Sequence, residues 1–166
     1  MSFVFEKGDL FSVEADVIAH GCNCQGVMGA GIAKAFAAKF PSMYREYSKE
    51  CYIGTYVPGD FMPWHENDVM GVNLFTQENP GADATYEAVV VSLIGVSQRI
   101  KRAYALHPVI FAMPLIGCGI GGLHFIDLHR ALTVTNNLFE GIMYKVVYND
   151  DNEHLIPAAF RVDSTP

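Results

Sequence analysis

The sequence carries little charge, and less of it is positive than negative. Only 17% of its 166 residues are Asp, Glu, Lys or Arg, and eleven basic residues stand against eighteen acidic ones, a formal net charge of −7. A protein that grips nucleic acid through the phosphate backbone needs a basic face. None is apparent here, which excludes general nucleic-acid binding. An anionic ligand would have to be held by local donors against an opposing long-range field. Long hydrophobic runs are also lacking. No stretch approaches a membrane span, and Met1 to Glu6 lack the basic region and apolar core of a signal peptide. These absences predict a soluble, cytoplasmic protein with no membrane partner. Cysteine is scarce, limited to Cys22, Cys24, Cys51 and Cys118. Cys22 and Cys24 are two apart with no matched second pair, a poor spacing for structural zinc. They read as buried, reduced thiols. No motif requires a metal or other cofactor. A P-loop and a correctly placed dinucleotide fingerprint are missing as well.

What is present is a hydrophobic chain, 51% apolar, long enough for one domain with a real core. An opening strand is expected over residues 2–7 and a strand buried on both faces over 16–22, where the apolar positions are continuous. Helices are expected over 30–40, stopped by Pro41, and from about Ser42 to Cys51. Strands over 54–64 and 69–76 flank the polar turn 65–68. A long helix runs from Thr85 to about Leu106, with Val89, Leu93, Val96 and Ile100 on one face. A strand over 109–113, a helix over 126–139 and a strand over 142–148 complete the order. Alternating strands and helices predict an α/β sandwich of three layers around a mixed, mainly parallel sheet. A single domain over 1–166 is expected, with its core at about 3–149 and a polar C-terminal segment at 150–166. A monomer is the expectation.

Residues 16–36 organise the rest. Val17, Ile18 and Ala19 form a buried strand, His20 and Asn23 are polar groups at its predicted tip, and Gly26, Gly29 and Gly31 break a loop. Helix formers follow from Ala33. Strand, Gly-rich loop and helix together offer backbone N–H groups and a helix N-terminus to an anion. A second Gly-rich loop, 115–123, follows another predicted strand. In such sheets a ligand sits at the carboxyl ends of the strands.

These pieces resemble the macro domain family, the ADP-ribose-binding module, over about Phe3 to Asn149. The resemblance is carried by Lys7-Gly8-Asp9-Leu10-Phe11, by Ala19-His20-Gly21-Cys22-Asn23-Cys24-Gln25-Gly26, by Gly29-Ala30-Gly31-Ile32-Ala33, and by the string from Met113 to Leu123. The His-Gly-Cys-Asn-Cys-Gln-Gly string is similar to the ADP-ribose-1''-phosphate phosphatase branch, with its His-x-Cys-Asn-Cys-x-Gly motif. The Gly117-Cys118-Gly119 loop is also similar to the branch of glycohydrolases that remove ADP-ribose from glutamate or DNA thymidine. That branch uses a lysine where this chain has Gln77, and some members use an aspartate where it has Gly121.

The resemblance implies a function: binding ADP-ribose and hydrolysing ADP-ribose-1''-phosphate, with ADP-ribosylated macromolecules as further ligands. It implies a site in which Asp9, with Leu10 beside it, accepts a hydrogen bond from the adenine amine. Tyr148 and Asn149 lie near the adenine face. Gly26, Val27, Met28, Gly29, Ala30 and Gly31 give N–H groups to one phosphate as Ile32 opens the helix. Gly117, Cys118, Gly119, Ile120, Gly121, Gly122 and Leu123 wrap the other phosphate and the distal ribose. Phe125 lies against that ribose and Asn23 binds its hydroxyls. His20 and Asn23 are the expected catalytic residues, His20 as base or nucleophile, since its ring titrates near neutrality. His124 is a weaker second proton carrier. The alternative functions are ADP-ribosyl glycohydrolysis and non-enzymatic ADP-ribose reading.

Overall fold

The computed structural model describes residues 3–162. Ser2 of the expected first strand and the polar tail 163–166 lie outside them. In chain order the elements are β1 (Phe3–Lys7), β2 (Val17–Cys22), α1 (Gly31–Lys39), α2 (Pro41–Tyr52), β3 (Phe61–Glu66), β4 (Val69–Phe75), α3 (Tyr86–Ala103), β5 (Val109–Met113), α4 (Phe125–Leu138) and β6 (Ile142–Tyr148). Two short 3-10 turns follow, Glu153–Leu155 and Ala158–Phe160. No helix among the described residues is long and apolar enough to cross a membrane.

The six strands form one sheet in the order β1-β6-β5-β2-β4-β3, parallel except for β3, which runs antiparallel to β4. The β3–β4 hairpin turns on Asn67 and Asp68, both at positive φ (52° and 60°), the backbone a tight two-residue hairpin requires. Opposite that turn the indole of Trp64 lies on Gly71, its cross-strand partner, where a Cβ would occupy the ring. The expected strand over 54–64 is shorter, because 54–60 folds into turns closed by the Asp60 carboxylate accepting from Val57 N–H at 2.9 Å. The sheet separates two cores, giving three layers. Val89, Leu93, Val96 and Ile100 of α3 and Leu128, Ala131 and Leu132 of α4 pack on one face, against Val17, Ala19, Phe111 and Tyr144. Phe36 of α1 and Met43 and Tyr47 of α2 pack on the other, against Ile18, Cys22, Trp64 and Phe75.

The C-terminal segment departs from the expected polar tail. Ile156 is fully buried in the α3–α4 core, and the Phe160 ring packs on Phe5 and Phe125 with centroids 6.3 and 5.2 Å apart. Lys7 holds Asp150 and Glu153 at 2.6 and 3.0 Å, which fixes the segment beside the end of β1. The core therefore reaches past residue 149. The acidic residues around Ile156 hide its apolar anchor from a composition-based reading.

Candidate functional site

A cavity of about 830 Å³ runs along the carboxyl edge of the parallel strands. Its walls come from the segments after each strand: Gly8, Asp9 and Leu10 after β1, Asn149 to Leu155 after β6, 114–121 after β5, 23–35 after β2, and Thr76 to Gly81 after β4. The strand order puts the β1 and β6 segments at one end, the β2 and β4 segments at the other, and the β5 loop between them.

The middle of the cavity is built to hold an anion. The backbone N–H groups of Met28, Gly29, Ala30, Gly31, Ile32 and Ala33 donate to no described residue, and neither do those of Gly117, Gly119, Ile120 and Gly121. All ten residues line the cavity. α1 begins there with Ala30 as its cap, no side-chain capping bond and no acid in its first turn. Its positive dipole end and orphan donors are therefore left to a ligand.

The first loop is moulded from beneath by α2. The Tyr47 hydroxyl, on a fully buried ring, lies 2.8 Å from Asn23 O and 2.9 Å from Asn23 Oδ1, and Ser48 Oγ donates to Gly26 O at 3.0 Å. Asn23 closes the turn itself: Nδ2 donates to Val27 O at 2.8 Å, and Oδ1 accepts from the N–H groups of Gln25 and Val27 at 3.0 and 3.4 Å. One Nδ2 hydrogen remains for a ligand. Asp9 is similarly tied at 3.0 Å by Phe11 N–H and at 3.1 Å by Ser12 Oγ, with further lone pairs free.

Carboxylates are unevenly placed along the walls. Among the described lining residues they are Asp9 and Asp151, both at the β1–β6 end. The β2–β4 end carries Asn23, Thr76 and Gln77; Cys22 also reaches the wall, but its thiol lies 3.6 Å from His20 Nε2 and burial pushes its pKa well above the usual value. Gly121 has no room for a side chain. A Cβ there would come within 2.7 Å of Gly117 O and 2.9 Å of the Ala84 side chain.

The structure corrects several expectations. His20 is not at a strand tip on the cavity wall. It shares a face of β2 with Ile18 and Cys22, as the two-residue repeat of a strand dictates, and is fully buried against α1. Its ring stacks on Phe36 with centroids 3.9 Å apart, and Nε2 lies 2.9 Å from Asn73 Oδ1. That oxygen only accepts, so Nε2 carries the proton. Burial lowers the His20 pKa to about 4, with Asn73 acting weakly the other way. A neutral ring sealed from the cavity is neither base nor nucleophile for a ligand there. Phe125 also lies off the wall, packed on Phe5 with centroids 5.1 Å apart. Tyr148 contributes to the wall, but with 2% exposure its ring belongs to the core and gives no open face for stacking.

Gly26, Cys118, Gly122 and Leu123 stand behind the loops, shaping them without lining the cavity. Leu123 N–H, for instance, donates to Gly117 O at 2.8 Å. The Cys118 thiol is buried, with its pKa pushed up to about 12. His124 precedes α4, where its N–H donates to the Asp127 carboxylate at 3.3 Å, also off the cavity. The other expected residues, Asp9, Leu10, Asn23, Val27 to Ile32, Gly117, Gly119 to Gly121 and Asn149, all meet at this cavity. Lining residues not foreseen include Thr76, Pro80, Val147, Asn152 and Leu155. Thr76 and Val147 follow from the rule that strand ends line the site; the 150–155 segment left no such signal.

The macro domain family model matches residues 19–62. Among curated proteins, the DNA ADP-ribosyl glycohydrolase of Mycobacterium tuberculosis is 29% identical over 135 residues, 77% of this chain and 37% of that protein. The ADP-ribose 1''-phosphate phosphatase of Candida albicans is 28% identical over 144 residues, 80% of this chain and 92% of that one. The chain thus spans well under half the length of the mycobacterial relative. Among solved structures, the macrodomain of Mycobacterium tuberculosis DarG superposes with a TM-score of 0.77 at 25% identity, covering 88% of this chain and 96% of the other. By sequence and by its six-stranded sandwich alike, the chain belongs to the macro domain family.

Proposed function

We propose that this cavity binds ADP-ribose and that the chain hydrolyses ADP-ribose-1''-phosphate to ADP-ribose and phosphate. The observation that carries the binding reading is the pair of facing loops whose N–H groups have no partner among the described residues. A diphosphate supplies the acceptors that such donors lack. The β1–β6 end suits a base: the Asp9 carboxylate can accept from an exocyclic amine, and Leu10, Val147 and Leu155 give apolar surface. The β2–β4 end then takes the distal ribose and its 1'' substituent.

The polarity of that second end favours phosphomonoester over glycosidic hydrolysis. Cleavage at an anomeric carbon draws on carboxylates beside the bond. The described walls carry none there, Gln77 stands where the glycohydrolase resemblance calls for lysine, and Gly121 excludes a side chain. Phosphoryl transfer through a loose transition state depends chiefly on positioning and on donors to the equatorial oxygens, and the spare Nδ2 hydrogen of Asn23 is such a donor at that end. The buried His20 favours a second reading, a binder that does not turn its ligand over. Phosphate release from ADP-ribose-1''-phosphate, assayed with metal-free protein beside calorimetry with ADP-ribose, separates them. Binding with release supports the phosphatase, binding without release the reader, and no binding refutes both.

A further inference from the structure

One polar side chain of the cavity is held in place yet has a hydrogen-bonding atom left over. Gln77 follows β4, and its Nε2 donates to Asn79 O at 2.6 Å and Gly81 O at 2.8 Å. Both partners are backbone carbonyls, which only accept, so the amide nitrogen must face them and Oε1 must face away. Oε1 accepts from no described residue and is not among the buried side-chain atoms left without a partner, which are His129 Nε2 and Asn136 Oδ1. It is therefore not fully buried. It stands 3.1 Å from the position a Cβ on Gly121 would take, and the Gly121 N–H is itself without a described acceptor. A fixed acceptor next to a free donor is an arrangement that can hold a water against a phosphoryl group.

We infer that Gln77 Oε1 holds the water that attacks the 1''-phosphate. The inference rests on the phosphatase reading and supplies what His20 does not. Water oxygen bonds to phosphorus as the bond from phosphorus to O1'' breaks, and the electron pair stays on O1''. One water proton ends on O1'' and the other stays on the phosphate, giving ADP-ribose and hydrogen phosphate. Gln77 accepts a hydrogen bond from the water and takes no proton, a role a loose phosphoryl transition state permits. The requirement for an acceptor at this place, with no titratable side chain, makes Gln77 a catalytic residue of the proposed reaction.

Two variants test it. Gln77→Met removes the acceptor and the donors. Gln77→Lys keeps donors for Asn79 O and Gly81 O but has no acceptor. In both, kcat for phosphate release should fall about a hundredfold, the order lost with one fixed hydrogen-bonding group. KM and the ADP-ribose Kd should stay within about threefold. The unaltered protein should show a flat kcat between about pH 7.5 and pH 9, above the second ionisation of a phosphate monoester at about 6, since an amide does not titrate. Unchanged kcat in either variant overturns the role of Gln77 alone. Loss of ADP-ribose binding together with turnover in both variants makes Gln77 a loop support and overturns it too. Binding of ADP-ribose by the unaltered protein without phosphate release overturns the phosphatase reading, and this inference with it.

Discussion

Acid should destabilise this protein through His20 well before its carboxylates protonate. The ring is sealed between Phe36 and β2, and burial lowers its pKa to about 4. In the unfolded chain it returns to about 6.5. Between these values the unfolded state binds more protons, so stability rises with pH across the window. The contribution is complete above the unfolded value and is lost as pH falls towards the folded one. The full gap is worth about 3 kcal/mol, and about 2 kcal/mol of it is lost between pH 7 and pH 5. Urea unfolding at pH 7 and pH 5 measures this directly. His20→Phe keeps an aromatic ring against Phe36, and Asn73 Oδ1 retains the Trp64 Nε1 donor at 2.9 Å. That variant should lose most of the pH dependence while keeping ADP-ribose binding and phosphate release. A pH dependence unchanged in His20→Phe refutes the burial argument. Loss of turnover in a folded, ligand-binding His20→Phe returns His20 to the reaction.

Other consequences follow from the cavity. A Cβ on Gly119 would meet nothing within 4 Å, so Gly119→Glu should fold normally and put a negative charge where the phosphates lie. In so open a site the repulsion is about 1–2 kcal/mol, roughly a tenfold loss of ADP-ribose affinity by calorimetry. Asp9→Ala should weaken ADP-ribose about tenfold and narrow the preference for adenine over other bases in competition titrations. Tyr47→Phe removes the hydroxyl beneath Asn23 and should cost about 1 kcal/mol in urea unfolding, with a parallel, smaller loss of affinity.

How far the sequence can be read depends on how local the deciding contacts are. The continuous apolar run at Val109–Met113 marks its strand with its bounds, because burial on two faces is written in adjacent residues. The Gly-rich loops are legible for the same reason, and they meet at the cavity. His20 is misplaced by its motif because its partners, Phe36 and Asn73, are 16 and 53 positions away. The two-residue alternation with Ile18 and Cys22 already puts it on a buried face. The 150–156 segment is undervalued because one anchor, Ile156, sits among acidic residues whose charge Lys7 neutralises. In the sequence Gln77 shows only as a missing lysine. That its amide is clamped by Asn79 and Gly81, leaving its carbonyl free, is a property of the folded loop.

The central claim is that the unpaired N–H groups of 28–33, Gly117 and 119–121 receive the phosphates of ADP-ribose. Backbone amide NMR during an ADP-ribose titration tests it most directly. Large downfield shifts are expected at Gly29, Ala30, Gly31, Gly119, Ile120 and Gly121, as free donors gain charged acceptors. Small shifts are expected at the buried core around His20. Binding with those amides unmoved, or with the largest shifts outside the cavity, would contradict it.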